Sequence, residues 1–77
     1  MENRPARIIP VGQARQFVAD RTLVEVEPGR TIAETLVELG VPLNMVTIAR
    51  SDGTYLPKTA IVQPGDVLRL ISIIGGG

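Results

Sequence analysis

Between Pro28-Gly29 and Pro42 the chain carries one short helix with both of its ends written into the residues. Thr31-Ile32-Ala33-Glu34 has the spacing of a capping box, with Thr31 at the N-cap and Glu34 three residues on. Ile32, Leu36 and Leu39 follow at i, i+4 and i+7, the core face of a helix. Gly40 supplies a left-handed C-terminal cap, and Pro42 forbids continuation. A single helix of this length has no core of its own, so the flanking segments must cover its apolar stripe.

Those segments read as strands. Ala6-Arg7-Ile8-Ile9-Pro10-Val11 has a strand's composition, although proline donates no ladder hydrogen bond and avoids central strands. Leu23-Val24-Glu25-Val26-Glu27 alternates, which points Val24 and Val26 inward and leaves the glutamates in water. Met45 to Arg50 is a further strand with Val46 and Ile48 on one face. Ser51-Asp52-Gly53 is a turn, Tyr55-Leu56 and Ala60-Ile61-Val62 are short apolar pieces around Pro57, and Gln63-Pro64-Gly65-Asp66 is a tight turn. Val67 to Ile74 is the last strand. Residues 12–21 admit two readings. Ala14, Phe17 and Val18 fit one helical face, and Arg15 to Val18 also fit the first strand of a hairpin turning at Asp20-Arg21; we prefer the helical register. The order strand, strand, helix, strand, short strand, strand predicts a two-layer α+β domain. It occupies residues 6–74, between a disordered tail at 1–5 and a flexible glycine tail at 75–77.

Composition narrows the chemistry. The 77 residues include no Cys, His or Trp. Zinc sites built on Cys or His are excluded, as are thiol nucleophiles and His-based triads. No metal site and no bound cofactor are expected, and an autonomous enzyme finds no nucleophile, base or metal cluster to work with. No disulfide can staple the fold, so packing alone must hold it. Eight acidic residues balance eight Lys+Arg, unlike the basic excess of a nucleic-acid binder or a polybasic membrane patch. Phe17 and Tyr55 are the only aromatics, too few for base-stacking platforms. No apolar run approaches the ~20 residues that span a bilayer. The polar start Met-Glu-Asn-Arg-Pro is unlike a signal peptide, which favours the cytoplasm.

The end of the chain is the informative feature. A strongly apolar strand runs into Gly75-Gly76-Gly77. Glycine packs nothing and loses the most freedom on ordering, so a structural element would not use it three times. A frayed terminus is the plain alternative.

The ordered motifs resemble the ubiquitin-like β-grasp sulfur carriers: the thiamine-pathway carrier ThiS, the small molybdopterin-synthase subunit MoaD, and the carrier of tRNA 2-thiolation. Val26-Glu27-Pro28-Gly29-Arg30-Thr31-Ile32-Ala33-Glu34-Thr35-Leu36 looks like their strand, turn and helix start. Leu39-Gly40-Val41-Pro42 looks like their helix stop, and Pro64-Gly65-Asp66-Val67-Leu68-Arg69-Leu70 like their last turn and strand. Gly12-Gln13-Ala14-Arg15-Gln16-Phe17-Val18 resembles the segment after the first strand of MoaD, in keeping with the helical register. The resemblance covers residues 6–77 and implies a β-grasp fold with a mixed four- to five-stranded sheet on one main helix. It also implies a carrier acted on by other enzymes. A ubiquitin-activator-like enzyme would use ATP to adenylate the carboxyl of Gly77, and a sulfur donor would convert it to a thiocarboxylate. Sulfur would then pass to a synthase of thiamine or molybdopterin biosynthesis, or to a tRNA thiolase. Gly75 and Gly76 would thread the tail into the activating enzyme. Relatives end in two glycines after a different residue. Gly75 is therefore a departure, which either lengthens the reach by one residue or marks removal of Gly77 to expose Gly76; Gly77 is the simpler assignment.

By analogy with ubiquitin-like domains, Leu68 and Leu70 face the helix, and alternation then sends Val67, Arg69, Ile71 and Ile73 to the opposite face. Arg69, Ile71 and Ile73 are accordingly the expected partner-binding residues, unless another segment covers them. Lys58, the only lysine, reads as a solvated surface residue. Leu70-Ile71-Ser72-Ile73-Ile74 lacks the double proline often seen near the end of MoaD and is nearer the tRNA-thiolation carrier, whereas the segment around Gln13 is nearer MoaD, so the pathway stays open. The alternatives are a stand-alone β-grasp binding module resembling the TGS type and a ubiquitin-like protein modifier without sulfur transfer. No direct contact with nucleic acid or membrane is expected.

Overall fold

The computed structural model describes residues 4–73. Its strands are β1 (Ala6–Val11), β2 (Val24–Val26), β3 (Val46–Arg50), β4 (Tyr55–Leu56) and β5 (Val67–Ser72), with one α-helix, α1 (Ile32–Leu39). Short 3₁₀ segments occupy Gly12–Val18 and Leu43–Met45. The five strands form one mixed sheet in the order β2-β1-β5-β3-β4. β1 and β5 run parallel at the centre, and the other neighbours are antiparallel. This is the ubiquitin-like β-grasp arrangement, an α+β fold, with five strands rather than four.

Helix α1 starts and stops where its residues say it should. The Thr31 hydroxyl accepts from the Glu34 backbone N–H at 3.0 Å, and the Glu34 carboxylate accepts from the Thr31 N–H at 3.0 Å. Two orphan donors of the first turn are thereby satisfied. At the other end Gly40 adopts φ 79°, where a Cβ would be strained. The Gly40 N–H donates to the Val37 carbonyl and the Val41 N–H to the Leu36 carbonyl, the double bond of a Schellman motif. Val41 is buried, which supplies that motif's apolar contact.

The core lies between α1 and one face of the sheet. Ile32 and Leu36 of the helix pack with Ile8, Val24, Val46, Ile48, Leu68 and Leu70 of the strands, and Leu39 is half-buried against them. Thr35 is the buried polar residue of the helix, and its hydroxyl donates to the Thr31 carbonyl at 3.0 Å. Val62 is also buried, and the loop that carries it is tied to the helix start: the Ile32 N–H donates to the Ala60 carbonyl and the Ala33 N–H to the Lys58 carbonyl. Lys58 itself is half-buried rather than fully solvated.

Of the two readings of residues 12–21, the helical one holds, as a 3₁₀ segment that places Ala14 and Val18 in the core with Phe17 packed against them. The hairpin does not form. The chain reverses instead through Ala19 and Asp20, both at positive φ.

Pro10 sits inside β1, next to the central strand, and its position explains why it is tolerated. The Arg7 N–H donates to the Asp66 carbonyl on the β5 side. Alternation turns the Ile9 and Val11 N–H groups the same way and leaves position 10 facing β2. The β2 pairing ends at Ile8 opposite Val24, so the missing N–H of Pro10 breaks no ladder bond. No helix among the described residues is long and apolar enough to cross a membrane.

Candidate functional site

Strand β5 alternates between two environments. Leu68 and Leu70 are buried beneath α1, whereas Val67 and Arg69 are exposed and Ile71 is half-buried. Register then defines what surrounds the outward residues. Arg69 lies between Ile9 of β1 and Ala49 of β3, and Ile71 lies between Val11 and Thr47. Paired residues share a face, so Arg7, Ile9 and Val11 join Val67, Arg69 and Ile71 on one outer surface. Tyr55, opposite Ala49, extends it to the β4 edge.

Part of that surface is exposed among the described residues. Val11 is 44% exposed, Val67 37% and Tyr55 67%. Helix α1 occupies the opposite face, and the 3₁₀ segment turns its Ala14 and Val18 to the same core as the helix. Ala49 alone is buried on the outer side; a methyl group flanked in register by Arg69 and Tyr55 is small enough to be shaded by them.

The exit of the chain lies at one end of this face. β1 and β5 are parallel, so their C-terminal ends point the same way. Beyond β5, the Ile73 N–H donates to the Met45 carbonyl at 3.0 Å, which fixes the strand's continuation beside the loop leading into β3. Ile73 is 59% exposed. The residues expected to carry the chemistry, Gly77 with Gly75 and Gly76, lie outside the described residues. The structure thus brings Arg69, Ile71 and Ile73 to one surface that leads toward the chain's end.

The charged side chains elsewhere have structural work. The Glu34 carboxyl is held below the usual range, first by the hydrogen bond from the Thr31 backbone N–H, then by the Thr31 hydroxyl and the Arg30 charge. The Asp52 carboxyl is lowered chiefly by the Thr54 backbone N–H, which donates to it at 2.9 Å within the turn. Asp66 accepts from the Gln63 N–H at 2.9 Å and faces Arg50 at 3.8 Å, closing the turn before β5. Arg30 pairs with Glu38. Among the described residues no group of acidic side chains is placed to hold a metal ion.

Sequence reasoning missed the contribution of β1. Arg7, Ile9 and Val11 belong to the outer surface only because β1 pairs in parallel with β5, each residue with one sixty positions later. Residues 6–11 read as a strand by composition, but nothing local said which side faced out. A sequence model described as the ThiS family matches residues 9–77. No curated protein matches the chain.

Proposed function

The chain belongs to the ThiS family, a family of sulfur carriers, and from that premise we propose that it carries sulfur as a thiocarboxylate on Gly77. The observation that supports this most is the extent of the match, which runs through the last strand to the terminal glycines. Family members act with activating enzymes and sulfur acceptors, so this chain is the substrate in the reaction. A carboxylate is a poor electrophile, and the terminal carboxyl is ionised at neutral pH. An adenylating partner supplies ATP: the carboxylate oxygen attacks the α-phosphorus and pyrophosphate leaves. A donor at the oxidation level of sulfide then forms the C–S bond as the C–O bond to AMP breaks. The resulting thiocarboxylate passes its sulfur to an acceptor synthase or a tRNA thiolase.

In this reading the two parts of the site divide the work. Arg69, Ile71 and Ile73 hold the carrier on the partner, and Gly75 and Gly76 let the terminal carboxyl reach the partner's catalytic cleft. Any side chain at Gly76 narrows the fit, so Gly76→Val should block loading while leaving the folded domain unchanged.

Intact-mass measurement tests the reading. Incubation with ATP, a sulfur donor and the activating enzyme should add the mass difference of one sulfur for one oxygen. Deletion of Gly76 and Gly77 should abolish that gain. A chain that is never modified by any such enzyme, and that keeps its cellular role without those two residues, is instead a binding module.

A further inference from the structure

The outer sheet face carries two guanidinium groups that make no hydrogen bond or ion pair among the described residues. Arg7 of β1 lies opposite Val67, and Arg69 of β5 lies opposite Ile9. The two arginines therefore project from the same face, on adjacent strands, two residues apart in register. Both are exposed. Among the described residues neither side chain has a hydrogen bond or an ion pair, whereas Arg30 and Arg50 have Glu38 and Asp66. Ile9, Val11, Val67 and Ile71 share the face with them, and Glu25 lies opposite Arg7.

This juxtaposition restricts what can cover the face. A purely apolar partner would bury Ile71 and Ile73 favourably but would strip water from two cations and offer nothing in return. An unpaired buried charge opposes association strongly. Guanidinium groups are instead suited to desolvated pairing, because their planar fork matches a carboxylate with two parallel hydrogen bonds. We propose that this face docks a protein surface with an apolar centre and carboxylates placed to accept from Arg69 and Arg7; the proposal rests on the carrier reading and identifies the chemistry of the partner's side. A nucleic acid fits less well, since Tyr55 is the one aromatic the face presents and the chain's charges balance.

The two arginines are not equivalent. Glu25 of β2 lies opposite Arg7 on the same face and offsets its field at that edge. Arg69 is flanked in register by Ile9 and Ala49, with no acidic neighbour. Arg69 should therefore matter more.

The test is steady-state loading by the adenylating enzyme that, with ATP and a sulfide-level sulfur donor, yields the thiocarboxylate of the wild-type chain, with the carrier as the varied substrate. Arg69→Glu should raise KM by about tenfold or more with kcat within about twofold, and Arg7→Glu should raise it less. The wild-type KM should rise with ionic strength as the pairs are screened, and that dependence should flatten in Arg69→Glu. Arg69→Lys should keep the salt dependence while losing part of the affinity, because a point charge cannot replace the fork. Unfolding curves check that each variant is folded, and Arg69→Gln serves if the reversal is not. Unchanged KM and unchanged salt dependence in both reversals, with the thiocarboxylate still forming, overturn this proposal and leave the carrier reading standing. Failure of the wild-type chain to be loaded at all sinks the carrier reading itself. Tight binding of an RNA oligonucleotide that is lost in both reversals would assign the face to nucleic acid and overturn the proposal as well.

Discussion

Two faces of the same strand meet opposite demands. Leu68 and Leu70 of β5 lie under α1 and are almost completely removed from water. Arg69, Ile71 and Ile73, interleaved with them or following them, lie on the bare side. The inner residues are held by packing from both layers, so their energetic role is complete within the chain. The outer residues keep apolar area in water, and among the described residues Arg69 has no acceptor. Neither arrangement adds stability to the isolated domain, whereas both become favourable once a partner of matching chemistry covers them. The contrast separates residues that make the fold from residues that use it.

Substitutions on the two sides sharpen the contrast. Leu70→Ala, at the centre of the inner face, should cost about 2–5 kcal/mol of unfolding free energy through lost transfer and a residual cavity. For a domain this small such a loss is a large share of the total, and chemical denaturation would show it as a lower midpoint. Thr31→Ala should cost about 1 kcal/mol by the same measurement, because it removes the acceptor for the Glu34 N–H at the helix start. Ile73→Asp, on the bare side, should change stability by no more than about 0.5 kcal/mol yet weaken loading by the activating enzyme. A large loss of stability in Ile73→Asp, or none in Leu70→Ala, would break the division between the faces.

The smallest effect concerns pH. The folded state lowers the Glu34 pKa through the capping box. A depressed carboxyl pKa stabilises the fold above the unfolded value, and that contribution is lost as pH falls through the folded value. Stability should therefore decline slightly on acidification below the ordinary glutamate range, and Glu34→Gln should show less of that decline. The reverse slope at this position would contradict the capping geometry.

Much of the inner layer was legible in the residues. The capping box, the i, i+4, i+7 stripe and the Gly40 stop all act within a few residues of one another, so helix α1 could be read without its neighbours. In the last strand, analogy with ubiquitin-like domains set Leu68 and Leu70 inward, and alternation then put Arg69, Ile71 and Ile73 outward. The rest was not legible, for a definite reason. The 3₁₀ segment at Gly12–Val18 has no side-chain bond at its N-cap, so its residues left a hairpin open beside the helical register. Lys58 looked like an ordinary solvated lysine because nothing nearby announced that its carbonyl would anchor the helix start.

Local chemistry thus determined the helix, the exclusion of thiol and imidazole chemistry, and the glycine end. Tertiary structure alone decided that β1 lies parallel to β5 at the centre of the sheet. That pairing puts the missing N–H of Pro10 where no partner needs it, and it places Arg7 beside Arg69. The physical reason is that cap and periodicity signals depend on neighbours three or four residues away. Strand partners are chosen across the whole chain, by which arrangement buries both apolar faces against a single helix.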